Sequence, residues 1–143
     1  MDFSKIDTAA DAQEGAILHF VHPQLRHPLY TGPGANEYGI VIDKKLAHEP
    51  VTALVRGMDS GVVRAEATRM EKVRLRNGKA DDAALTFLRS LIIELNGISD
   101  GERKITTSEK DLKWLFDRAD DMGKQVLAFA AEASNFFKGA LPA

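Results

Sequence analysis

The chain has 143 residues, enough for one hydrophobic core and too few for two ordinary domains. Apolar residues make up 44% and charged residues 28%, which excludes a disordered or fibrous chain, and the formal net charge of −2 weighs against a dedicated nucleic-acid binder. The absence of cysteine excludes disulfides, thiolate metal sites and cysteine nucleophiles.

The opening Met1-Asp2-Phe3-Ser4-Lys5 lacks a basic region followed by an apolar run, and no apolar stretch nears the roughly 18 residues that span a bilayer. A soluble cytoplasmic protein is expected. Residues 1–14 carry only scattered apolar positions, Phe3, Ile6 and a few alanines, and read as a polar arm or a short helix. From Gly15 the run Ala16-Ile17-Leu18-His19-Phe20-Val21 reads as a strand that stops at His22-Pro23, because proline cannot donate a ladder hydrogen bond.

A second strand is expected over Tyr38–Asp43, with Tyr38, Ile40 and Ile42 on one face and Gly39 and Val41 on the other. The intervening loop turns about Thr31-Gly32-Pro33-Gly34. Val51-Thr52-Ala53-Leu54-Val55 offers an edge strand, which would bring the sheet to the three strands that independent stability usually needs.

After Gly57 the apolar period changes from two to about 3.6, the signature of helix. The first helix is capped by Asp59 or Ser60, buries Val63, Ala67, Met70 and Val73, and ends at Asn77-Gly78. Between Arg56 and Lys79 seven basic residues face three acidic ones, a local excess of +4, mostly opposite that apolar face. A second helix starts near Asp81 or Asp82, presents Leu85, Leu88, Leu91, Ile92 and Leu95, and ends at Asn96-Gly97. Beyond a polar connection, Thr106 with Glu109 or Ser108 with Asp111 supplies a capping box.

Leu112, Leu115, Ala119, Met122, Val126, Phe129, Ala133 and Phe136 then recur at alternating spacings of three and four, a heptad seam. Either one helix runs to about Lys138, or two meet near Asp120. The whole predicts an α+β chain, mainly α: a small N-terminal antiparallel hairpin or three-stranded sheet over 1–57, then a bundle of three to four helices over 58–143, in one domain.

Candidate chemistry is sparse. His19, His22 and His27 suggest a metal set, but residues three apart on a strand face opposite ways, and no carboxylate stands at ligand spacing. Asp59-Ser60-Gly61 heads a helix, where capping suits it better than nucleophilic catalysis, and Gly32-Pro33-Gly34 lacks the lysine of a phosphate-binding loop. Neither a catalytic residue nor a metal ligand nor a cofactor site is expected. The basic segment reads first as a solvated helix face, second as a protein-binding patch and third as a nucleic-acid reader.

In order and spacing, several local patterns resemble those of tail assembly chaperones from long-tailed, siphovirus-like bacteriophages, prophages and gene transfer agents. They are the strand from Gly15 to His22-Pro23, then Pro28-Leu29-Tyr30, Tyr38–Asp43, Gly57-Met58-Asp59-Ser60 and Leu95-Asn96-Gly97-Ile98. At the end come Ser108-Glu109, Leu115-Phe116, Gln125-Val126 and Asn135-Phe136. Met58 stands where the family usually has proline, and the segment around Asp120 lacks its Pro-Trp pair.

The resemblance favours the helix break near Asp120. It implies a non-enzymatic, mainly helical protein of the bacterial host cytoplasm that holds the tape measure protein soluble, recruits tail tube protein, and is absent from the mature virion. Partners would be those two proteins, further copies of itself and, in some members, a frameshift-extended form, with neither membrane nor nucleic acid. Surplus apolar surface at the chain's end fits such a role, with Val126, Phe129, Ala133, Phe136 and Phe137 as the gripping face and Arg64, Arg69 and Arg76 as its charged rim. The competing readings are a small helical nucleic-acid-binding regulator using 56–79 and a structural head–tail connector.

Overall fold

The computed structural model describes residue 4, residues 6–77 and residues 81–138, with side chains described up to residue 72 and again from residue 84. The architecture is α+β, with helices packed on a small antiparallel sheet. α1 (Thr8–Glu14) leads into β1 (Ala16–His19), and Asp7 caps α1 by accepting the Ala10 N–H at 2.9 Å. The next long excursion holds only the two-residue strands β2 (Tyr30–Thr31) and β3 (Glu49–Pro50), before β4 (Thr52–Val55).

β4 is the centre of the main sheet and not its edge, because a strand from far down the chain joins it on the other side. The order is β1-β4-β5, both pairings antiparallel, with β5 spanning Ile92–Asn96. Alternation along β4 buries Ala53 and Val55 and leaves Thr52 and Leu54 partly exposed, as the two-residue period of a strand requires.

β5 corrects the helix expected to run on to Leu95. α3 (Asp81–Leu91) ends where the Arg56 N–H takes the Leu91 carbonyl at 2.6 Å, an acceptor that a continuing helix would use itself. Ile92 faces Val55 and Glu94 faces Leu54, so Ile93 is left without a partner, a bulge. That extra residue lets Ile92 and Leu95, three apart, both be buried. Gly97, at φ +86°, does turn the chain, but out of a strand. A tight hairpin follows, β6 (Ser99–Asp100) with β7 (Arg103–Lys104).

Tyr38–Asp43 is a second correction, for it is no strand of the sheet. The Asn36 side chain accepts the Tyr38 and Ile40 N–H groups at 2.9 and 3.0 Å, Ile42 N–H donates to the Gly34 carbonyl at 2.8 Å, and only Val41 bridges to Ala35. The expected inner face points outward, with Tyr38, Ile40 and Ile42 all exposed.

α2 (Gly61–Asn77) starts directly after Ser60, which is fully buried and donates its hydroxyl to the Gln13 side chain. Val63 is buried, whereas Ala67 is exposed; Val73 and the expected cap at Gly78 lie outside the described residues and side chains. α2 packs mainly on α3, and α3 in turn meets α4 (Glu109–Arg118) and α5 (Asp120–Ala131).

Ser108 caps α4 by accepting the Asp111 N–H at 3.2 Å. The Asp111 carboxylate does not return to Ser108; it accepts the Thr106 N–H and hydroxyl, both at 2.8 Å, and pairs with Arg103 at 2.5 Å. Those bonds hold the carboxyl down at about 2, the Thr106 amide contributing most and Arg103 next. The break near Asp120 is present, with Ala119 as the junction residue and no side-chain cap at the start of α5.

Most of the heptad seam is spent inside this one chain. Leu112, Leu115, Met122, Val126 and Phe136 are buried, and Ala119 and Phe129 are partly so. α5 is also tied to the first strand's exit: the Gln125 side chain accepts the Val21 N–H and donates to the Val21 carbonyl, both at 2.8 Å. Beside it Asp121 pairs with Arg26 at 2.9 Å. Among the described residues no helix is long and apolar enough to cross a membrane.

Candidate functional site

The chain that leaves α5 does not continue to Lys138 as helix. Ala131 closes α5, and a short 3-10 turn, Ala133–Phe136, folds back with the Phe136 ring edge-on to Phe129 at 5.6 Å between centroids. The Asn135 amide donates to the Phe129 carbonyl at 3.1 Å, and the Lys138 ammonium donates to the Gly15 carbonyl at 2.5 Å. Residues 133–138 are thereby brought against α1 and Gly15.

Between them runs the segment 57–59. Gly57 N–H donates to the Ala12 carbonyl at 3.0 Å and Met58 N–H to the Ala130 carbonyl at 3.1 Å, so this segment laces α1 to α5. A side chain at residue 57 would meet the Ala12 methyl at 2.9 Å and the Phe136 ring at 3.0 Å, which is why glycine stands there.

The three walls leave an open cleft of about 430 Å³. Ala12, Gly57, Met58, Ala130, Ala131 and Phe136 make its floor and sides, and Phe137, 53% exposed, stands at its lip. Thr8, Asp11, Asp59 and Ser134 supply polar groups around the mouth. Asp59 pairs with Arg64 at 2.9 Å, and its carboxyl lies below the usual range, first because of that guanidinium and then because of the Thr8 hydroxyl. A cleft with an apolar floor and a polar rim can seat a few side chains of another polypeptide.

Of the expected gripping residues, Ala133, Phe136 and Phe137 come together here. Val126 is wholly buried and Phe136 is 3% exposed, so both are committed to the fold and are not outward surface; Phe129 is half-buried beneath Phe136. Arg64 reaches the rim only through Asp59, whereas Arg69 is paired with Glu66 at 2.5 Å along α2, and the Arg76 side chain lies outside the described side chains.

Sequence reasoning misses the other lining residues Thr8, Asp11, Ala12, Met58 and Ala130. The only signal was a set of small residues, Ala12 and Gly57 above all, which matter for what they leave empty. Comparison of the chain with protein-family models, with curated proteins and with solved structures gives no match.

Proposed function

We propose that the chain is a non-enzymatic protein-binding module acting as a tail assembly chaperone, which seats an apolar segment of the tape measure protein while tail tube protein is recruited. It works in the bacterial cytoplasm, in more than one copy, and is left out of the finished particle. The observation that carries the reading is the open apolar cleft with Phe137 half-exposed at its lip. Covering one Phe or Leu side chain is worth about 1.5–3 kcal/mol, so a few such anchors in an amphipathic helix give useful affinity. The order of motifs from His22-Pro23 to Asn135-Phe136 supplies the identity of the partner.

The test is coexpression with a tape measure protein and a tube protein encoded beside this chain, followed by affinity capture. Capture of the tape measure protein by the wild type is expected, together with at least about tenfold loss in Phe137→Ser at unchanged melting temperature, because an exposed side chain contributes little to folding. Failure of the wild type to hold the tape measure protein overturns the proposal. Mass spectrometry of purified particles checks the second half: the chain should be missing.

A further inference from the structure

β1 is an edge strand of the main sheet, and only the two ends of its outer edge are closed. The Phe20 N–H donates to the Val51 carbonyl at 3.0 Å, so in this antiparallel register Leu18 and Ala16 also turn their backbone groups towards β4. Gly15, Ile17, His19 and Val21 therefore point theirs the other way. At one end the Lys138 ammonium takes the Gly15 carbonyl, and at the other the Gln125 amide takes both groups of Val21. Between them, among the described residues, the N–H and C=O groups of Ile17 and His19 meet no partner, and the Ile17 side chain is 70% exposed. Such a row on a strand edge is a template for another strand.

We infer that β1 pairs antiparallel with β1 of a second copy, Ile17 of each opposite His19 of the other, which joins two three-stranded sheets into one of six strands. This rests on the part of the reading above that puts the chain in more than one copy, and is independent of the cleft. Register selects the occupant. With a two-fold axis at Leu18, the pair makes four hydrogen bonds and engages every open group of both edges. Sliding by two residues either way would set an open residue against Gly15 or Val21, whose groups are already taken. Charge agrees with the same axis, because it brings Lys138 of one copy beside Val21 of the other. Lys138 meets no carboxylate among the described residues, whereas the Gln125 amide at Val21 is hydrogen-bonded at 3.0 Å to Asp121, which also pairs with Arg26. The ammonium of one copy thus falls inside the roughly 8 Å over which it attracts the carboxylate of the other at physiological salt.

Sedimentation equilibrium of the full chain at up to about 200 μM should show a dimer. Ile17→Pro removes an N–H that β4 does not use, and proline is tolerated on such an edge. Because the axis repeats the change, two of the four bonds go, and the dimer should weaken at least about tenfold while the circular dichroism melt is kept. Leu18→Cys, in a chain without other cysteine, should crosslink into a dimer under mild oxidation, since residues facing across the axis stand about 4.5 Å apart at Cα, within disulfide reach. Glu102→Cys, exposed on the β6–β7 turn, should not.

A wild type that sediments as a monomer throughout, an Ile17→Pro dimer as tight as wild type, or a Leu18→Cys chain that crosslinks no faster than Glu102→Cys overturns the inference. If Ile17→Pro unfolds, the Leu18→Cys crosslink decides alone. Where oligomers persist in Ile17→Pro without that crosslink, the more-than-one-copy reading stands and this edge falls. Where the wild type is monomeric both fall, and capture of the tape measure protein then tests the cleft by itself.

Discussion

α4 begins and α5 ends in opposite ways. At the start of α4, Ser108, Thr106, Asp111 and Arg103 satisfy one another. Those four groups find their partners within the chain, so this junction is closed by polar contacts. The end of α5 is held by rings and small residues, and Phe137 beyond it has only part of its surface covered. Polar closure leaves nothing for a second molecule to improve, whereas apolar closure that stops short leaves an attachment point.

Removing the buried ring should separate the two ends most sharply. Phe136→Ala is expected to cost about 3–5 kcal/mol, read by urea denaturation, because Phe136 fills the space over Gly57 and beside Phe129. Gly57→Ala should cost less, about 1–3 kcal/mol, since its methyl must push Ala12 and Phe136 apart. Both variants act on the apolar end and should leave the acid response of the other end unchanged.

That acid response is the next test. A carboxyl held at about 2 in the folded chain against an ordinary 3.8 stabilises the fold above 3.8, and the contribution is lost as pH falls through about 2. The thermal midpoint of the wild type should therefore drop across that window. Asp111→Asn should melt lower at neutral pH and fall less steeply in acid, with a residual slope because Asp59 and Asp121 are also held low. A slope identical to wild type would remove Asp111 from the account. The smallest expected effect is Phe137→Ser, within about 0.5 kcal/mol in stability, although it should act strongly on partner capture.

The α+β class and the starts of α3 and α4 were legible, because caps and the 3.6 period are local properties; the division at Ala119 was left open by the unbroken seam, and no side-chain cap marks it. Ile92 and Leu95 were not, since a bulged strand buries residues three apart and so imitates a helix turn. Tyr38, Ile40 and Ile42 failed for the reverse reason: alternation says which residues share a face, but not whether a neighbouring strand covers it. For the site, Phe137 and Ala133 were legible as apolar or small residues late in the chain. Val126 and Phe136 belonged to the same periodic stripe, and periodicity alone cannot divide a buried stripe from an outward one.

The Gln125 side chain, which exchanges two hydrogen bonds with Val21 as a neighbouring strand would, has a consequence for synthesis. A nascent chain halted before residue 92 possesses only the β1–β4 ribbon, and two strands alone are marginal in water. One halted before residue 125 still lacks the clamp on that first strand. The N-terminal third thus waits during synthesis for supports that come from far down the chain, and it folds at the slower pace of distant pairings.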